Sequence, residues 1–267
     1  MRYMIFGDVH GNLLALEAVL AAAQQRGATG YLFVGDLVGY GPQPLECLER
    51  LLALQQAGRL AWVVGNHELV IRDECGTDGY SEEARQTLAW TQQLIARTKW
   101  AKKFIAAGHL TLQVDDGIWL AHDSLAFPNN GRYHREPRQC RSEIACLRYL
   151  KGRVCFYGHT HVMRAELMRQ DSIWMVPTNA GPPDVADPKP LTLAAGDLGW
   201  IGTGSTGLPT NPDRLAEFLI LDDADAANWR VEKYAVAYSR DVARERTERI
   251  LSAVCTLPVA QRIARWL

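Results

Sequence analysis

The sequence predicts an α/β protein, and three observations carry that prediction. Short apolar runs alternate with helical patterns through the first third, strand-like runs with Gly- and Pro-rich connections dominate residues 162–235, and polar residues capable of chemistry cluster where strand-like runs stop. Taking the elements in order, RYMIF (2–6) reads as a strand. LLALEAVLAAAQQRG (13–27) reads as a helix with Asn12 as its cap and Gly27 as its stop. YLFVG (31–35) is a second strand, PLECLERLLALQQAG (44–58) a second helix and LAWVVG (60–65) a third strand. Alternation at this spacing argues for right-handed βαβ units and a parallel sheet. Residues 81–107 read as helical with a break near 97–99. HLTLQVDDGIWLAH (109–122) reads as a hairpin turning at Asp115, Asp116 and Gly117. Residues 137–151 form a short helix leading into the strand-like RVCFYG (153–158), and helices return after Ser239. No internal repeat or low-complexity linker divides the chain, so 1–267 is read as a single domain.

Bulk properties narrow the function. Hydrophobic residues make up 48% and charged residues 22%, the balance of an ordinary globular protein. A net charge of −1 supplies no basic field, so nucleic acid is not indicated as a partner. No uninterrupted apolar run approaches the ~18 residues of a membrane helix, and Gly7 and Asp8 arrive too early for a signal-peptide core. The six cysteines are scattered without a CxxC pair, which suits free thiols in a reducing cytoplasm. The expectation is a cytoplasmic protein; its oligomeric state is not legible.

The chemistry sits at strand ends. The first strand runs into Asp8-Val9-His10-Gly11-Asn12, the second into Gly35-Asp36, and the third into Gly65-Asn66-His67-Glu68. IWLA runs into His122-Asp123, and RVCFYG into His159-Thr160-His161. Five of the seven histidines occupy such positions, and ligands in α/β sheets gather at the carboxyl ends of strands. Any one segment alone is an ordinary turn; five successive ones argue for one site. Continued strand geometry through GHTH would send His159 and His161 to the same face. Carboxylate, imidazole and amide oxygen without thiolate suit Mn, Fe, Zn or Ni.

In this order the segments resemble the calcineurin-like metallophosphoesterases, whose pattern is DxH, GDxx, GNHE or GNHD, a later His, and GHxH. Here these are Asp8–His10, GDLVGYGP (35–42), GNHE (65–68), His122 and GHTH (158–161). The resemblance spans residues 1 to about 161 and resumes weakly at TGSTGLPTNPDR (203–214), similar to the PGSVGxPR segment of the small bacterial branch, with Thr203 where that branch has proline. It implies a four-layer α/β/β/α sandwich with a mixed two-sheet core and two divalent ions, manganese being the first choice. Asp8, His10, Asp36 and His161 would hold one ion and Asn66, His122 and His159 the other, with Asp36 bridging. Asp36 and Asn66 are thereby catalytic as well, and His67 would assist the leaving oxygen as a general acid.

Substrate class is read from what surrounds these motifs. Protein phosphatases and symmetrical dinucleotide tetraphosphatases resemble GDxxxRG after the second strand, whereas this chain has Gly35-Asp36-Leu37-Val38-Gly39-Tyr40-Gly41 and no arginine. That favours a small-molecule phosphodiester or nucleotide-derived substrate over a protein phosphatase or dinucleoside polyphosphate hydrolase. A non-catalytic, metal-dependent regulatory module is disfavoured because every ligand position and His67 are present. Tyr40, Arg72, Arg132 and Tyr133 are candidate substrate contacts, an arginine being able to grip phosphate through two hydrogen bonds. The stretch 162–200 is longer than the family's usual link and is expected to be an extended loop or hairpin, with Asn179 and Asp184 as weak candidates to face the site.

Overall fold

The computed structural model describes residues 1–131, 140–176 and 190–267. Its strands form two six-stranded sheets. The first has the order β3-β2-β1-β11-β12-β9, from Leu60–Trp62, Gly30–Phe33, Arg2–Phe6, Ala216–Asp222, Asn228–Val236 and Leu191–Ala194. The second has the order β4-β5-β6-β10-β7-β8, from Thr111–Asp115, Ile118–Ala121, Val154–Tyr157, Leu198–Thr203, Met163–Arg169 and Ser172–Val176. Each sheet is mixed: β1 runs parallel to β2 and antiparallel to β11, while β6 runs parallel to β5 and β10. The expected parallel sheet is therefore only one part of each. Local βαβ patterning reports which neighbours are parallel and carries no information about the late antiparallel strands that join them.

Burial on both faces explains the apolar continuity of β1. Met4 and Phe6 pack with Leu16, Val19 and Leu48 of helices α1 (Leu13–Gln25) and α2 (Pro44–Gln56), while Tyr3 and Ile5 pack between the sheets against Leu120, Val154 and Phe156. The outer face of the second sheet is covered by α6 (Arg141–Tyr149), whose Ile144 and Leu147 meet Cys155, Tyr157 and Trp200. The layers run helix, sheet, sheet, helix, as the four-layer reading requires.

Local signals act where the sequence places them. The Asn12 side chain accepts the Ala15 N–H at 3.2 Å and opens α1. Ser81 opens α4 (Glu82–Ala96) in the same way, and Thr98 separates α4 from α5 (Lys99–Ala106). One short helix, α3 (Asn66–Ile71), carries no periodic signal at six residues. Within 162–200 the described residues form the β7–β8 hairpin and then β9, which leaves that sheet to pair with β12 in the other. Helices α7 (Arg240–Leu251) and α8 (Leu257–Trp266) pack together beside Leu208 and Tyr40. None of the six cysteines forms a disulfide among the described residues, and no helix among the described residues is long and apolar enough to cross a membrane.

Candidate metal centre

The carboxyl ends of β1, β2, β3, β5 and β6 meet at one end of the sandwich, drawing on both sheets. Backbone hydrogen bonds fasten their loops: Asp8 N–H donates to Gly35 O, His10 N–H to Asp36 O, and Gly11 N–H to Leu37 O, at 2.8–3.0 Å. A late segment closes the ring. The Ser205 hydroxyl and Gly207 N–H both donate to Asp8 O at 2.9 Å, and a Cβ on Gly207 would drive into the Val9 carbonyl. This is the physical content of the GSTG segment singled out in the sequence.

The loops are held in unusual backbone conformations. Asp8, His10, Asp36, His159 and His161 all have φ between 50° and 63°, so five of the seven candidate donors are left-handed. Each such non-glycine residue costs on the order of 1–3 kcal/mol and persists where the surroundings over-determine it, commonly at functional sites. The left-handed turns also correct the expectation for GHTH. The strand ends at Tyr157, and the two imidazoles turn to different neighbours instead of sharing a strand face. His161 joins Asp8 and His10, while His159 joins Asp36 and His122.

Donor spacing within these clusters has the scale of a coordination shell. His10 Nε2 lies 3.0 Å from His161 Nε2, which is 3.3 Å from Asp8 Oδ1. Asn66 Oδ1 is 3.0 Å from both His122 Nε2 and His159 Nδ1. Asp36 Oδ2 faces both groups, 3.8 Å from His10 Nε2 and 3.4 Å from His122 Nε2. Ligands ~2.1 Å from one ion are separated by roughly 3.0 Å in an octahedron and 3.4 Å in a tetrahedron, so these edges fit divalent cations. The imidazoles are also aimed. The Nδ1–H groups of His10, His122 and His161 donate to Val38 O, Val34 O and Leu208 O at 3.3, 2.7 and 3.2 Å. A carbonyl can only accept, so Nε2 of each ring is the nitrogen offered to the cluster.

The electrostatics follow from seven donors crowded together, five of them buried. Burial penalises charge on Asp36, yet the surrounding His122, His67 and His10 hold its carboxyl well below the usual range. Burial likewise opposes a proton on His122, but Asp36 outweighs it and lifts that ring to about 10. His159 is driven the other way, to about 4, by burial and the neighbouring His122. Burial also lowers His10 and His67, with Asp36 partly offsetting both. Such divergent shifts among adjacent groups are typical of a functional site.

His67 and Glu68 show what α3 contributes. His67 donates its backbone N–H to Asp36 Oδ1 at 3.0 Å and its Nδ1–H to Val38 O at 2.9 Å, leaving Nε2 3.9 Å from Asp36 Oδ2. Its neighbour Glu68, with no assigned role in the sequence reading, is 1% exposed and accepts four backbone N–H groups. These come from Asp36 (2.9 Å), Leu37 (2.9 Å), Val38 (3.2 Å) and Gly65 (2.8 Å). One carboxylate thus ties the loop after β2 to the loop after β3. Asp123 does similar work beyond β5, accepting N–H groups of Asn129 and Gly131 at 3.0 and 2.7 Å. The only sequence hint for either was an acid immediately following a histidine or within GNHE.

Above the donors lies a cavity of about 730 Å³, lined by His10, Asp36, Asn66, His67, His159 and His161 on its floor. Tyr40, Tyr80, Asn129 and Thr210 are among its walls. Of the residues expected to meet substrate, Tyr40 lines this cavity, its ring centroid 5.0 Å from that of His10 and 5.2 Å from that of His67. Arg72 does not. Its guanidinium donates to Ile105 O and Gly108 O, tying the residue that ends α3 to the end of α5. Arg132, Tyr133, Asn179 and Asp184 lie outside the described residues.

The two-sheet sandwich carries paired histidine–carboxylate clusters, each able to hold a divalent cation, at its strand ends. A sequence profile of the calcineurin-like phosphoesterases matches residues 1–163, and the chain belongs to that family. The metallophosphoesterase of Sphaerobacter thermophilus superimposes with a TM-score of 0.75 at 25% identity, covering 100% of both chains. A hypothetical protein of Pyrococcus horikoshii shares the fold, with a TM-score of 0.71 at 16% identity over 98% of this chain and 97% of its own. In sequence, an uncharacterized protein of Methanocaldococcus jannaschii is 25% identical over 98% of this chain and 94% of its own length. The symmetrical bis(5'-nucleosyl)-tetraphosphatase of Psychromonas ingrahamii is 41% identical over 70 residues, 26% of this chain and 25% of that protein.

Proposed function

We propose that the chain hydrolyses phosphodiester or nucleotide-derived phosphoester bonds in small molecules. In this reading Asp8, His10, Asp36 and His161 hold one divalent ion, Asn66, His122 and His159 hold a second, and Asp36 is common to both. The observation that carries it is the position of Asp36 Oδ2, facing His10 of one cluster and His122 of the other. When bound, the ions supply Lewis acidity to water and to phosphoryl oxygens. Manganese and a cytoplasmic setting belong to the same proposal.

The chain's own residues then orient and protonate. Nδ1 of His67 is committed to Val38 O, so its exchangeable proton is carried on Nε2, which borders the cavity. Burial makes that proton easier to give up, and the adjacent Asp36 carboxylate offsets part of that effect. His67 in this role protonates the leaving oxygen. Tyr40 and Tyr80 flank the His67 ring at 5.2 and 5.7 Å, a setting that suits an aryl or nucleoside leaving group.

The test is a Mn2+-supplemented screen of aryl monoesters, aryl diesters, cyclic nucleotides and dinucleoside polyphosphates. Diesters or nucleotide-derived diesters should have the highest kcat/KM, and Asp36→Asn should abolish turnover and lower the bound metal count. Turnover by Asp36→Asn at the wild-type rate would remove the bridging role. A dinucleoside polyphosphate hydrolase is the second reading, favoured by the 70-residue match to the tetraphosphatase. The missing arginine after Gly39 weighs against it, and the same screen separates the two.

A further inference from the structure

We infer that Tyr80 is the positioning residue that holds the Asn66 amide with its oxygen toward His122 and His159, and so sets the ion affinity of that cluster. The inference rests on Asn66 being a ligand, as proposed above. The two ends of an asparagine amide are alike in shape but opposite in chemistry. The oxygen has lone pairs for a cation; the nitrogen has none to give. A half-turn about the last side-chain bond would exchange them, so something outside the cluster must choose.

Two contacts to one hydroxyl make that choice. Asn66 Nδ2 donates to the Tyr80 hydroxyl at 2.7 Å, and that hydroxyl donates to the Asn66 backbone carbonyl at 3.2 Å. Because the carbonyl can only accept, the tyrosine proton points to it and the phenolic lone pairs face the amide nitrogen. Turning the amide over would set Oδ1 against those lone pairs and Nδ2 against the two imidazoles. Oδ1 therefore stays 3.0 Å from His122 Nε2 and 3.0 Å from His159 Nδ1.

Tyr80 is itself anchored without help from the donors. Its N–H donates to Thr77 O at 3.1 Å, Arg85 Nη1 donates to its carbonyl at 2.7 Å, and Ser81 beside it caps α4. The loop between α3 and α4 thus reaches over the cavity mouth and reads out the orientation of a single amide. Outer partners of this kind typically change metal affinity by roughly 10–100-fold when removed.

The experiment titrates the full chain, stripped with a chelator, with Mn2+ by isothermal calorimetry. Tyr80→Phe should weaken one of two Mn2+ sites by roughly 10–100-fold and leave the other unchanged. A carboxylate presents oxygen at both ends, so in an Asn66→Asp background the same Tyr80→Phe change should matter by less than about 3-fold. Unchanged constants for Tyr80→Phe alone overturn the inference. Equal weakening in both backgrounds also overturns it, because the tyrosine would then be supporting the loop and not the amide. Asn66→Ala is the control: if it leaves both constants unchanged, Asn66 is no ligand and the underlying reading fails with the inference.

Discussion

Replacing Glu68 by glutamine tests whether a buried carboxylate holds the site together. Its two oxygens accept in pairs: Oε1 from Leu37 and Val38, Oε2 from Asp36 and Gly65. Glutamine keeps the size and one acceptor oxygen but turns the other into a donor. Whichever way its amide settles, two buried N–H groups face an NH2. An unsatisfied buried donor costs ~1–3 kcal/mol, so Glu68→Gln should lose about 2–6 kcal/mol. A typical domain has only ~5–15 kcal/mol in total, so the loss is readable. Denaturant unfolding at pH 7.5 measures it as a fall in midpoint at constant slope. Mn2+ affinity should fall with it, because either pair belongs to the loops that carry Asp36 and Asn66. A destabilisation below about 1 kcal/mol would refute the reasoning, since it would mean the two displaced N–H groups find other partners without cost.

Three further outcomes follow from the same geometry. His67→Ala should lower kcat by roughly 10²–10⁴-fold while two Mn2+ stay bound; loss of an ion would make His67 a ligand instead. Arg72→Ala should leave kcat/KM unchanged and cost ~1–3 kcal/mol of stability, because its hydrogen bonds go to α5 and not to the cavity; a raised KM would restore it as a substrate contact. Glu217 is 5% exposed, and burial lifts its carboxyl from 4.5 to about 7 despite the Ser205 N–H it accepts. A raised folded-state value means stability is full below pH 4.5 and is lost as pH rises through 7. Glu217→Gln should then be the more stable protein above pH 7, by up to ~3 kcal/mol, with the gap closing toward pH 4.5. Parallel thermal-melting curves across that range would refute this.

The sequence by itself determined the local elements and the inventory of the site. Asn12, Ser81 and Gly27 act within a few residues of themselves, so their effects are readable from neighbours in the chain. Asp8, His10, Asp36, Asn66, His122, His159 and His161 were legible because a strand that stops delivers its next side chains to a common edge. Arg72 misled because charge type does not say which way a short helix will face. Glu68 was in view within GNHE, but its four partners come from segments up to 32 residues away. The family resemblance implied two sheets, but only the tertiary structure decided which strands each takes, since β11 pairs with β1 across more than 200 residues of chain. The resemblance already sent His159 and His161 to different ions; the structure supplied the cause, left-handed turns in place of strand alternation. Both outcomes depend on long-range packing and hydrogen bonding, whose energies exceed local preference and leave no periodic trace in the sequence.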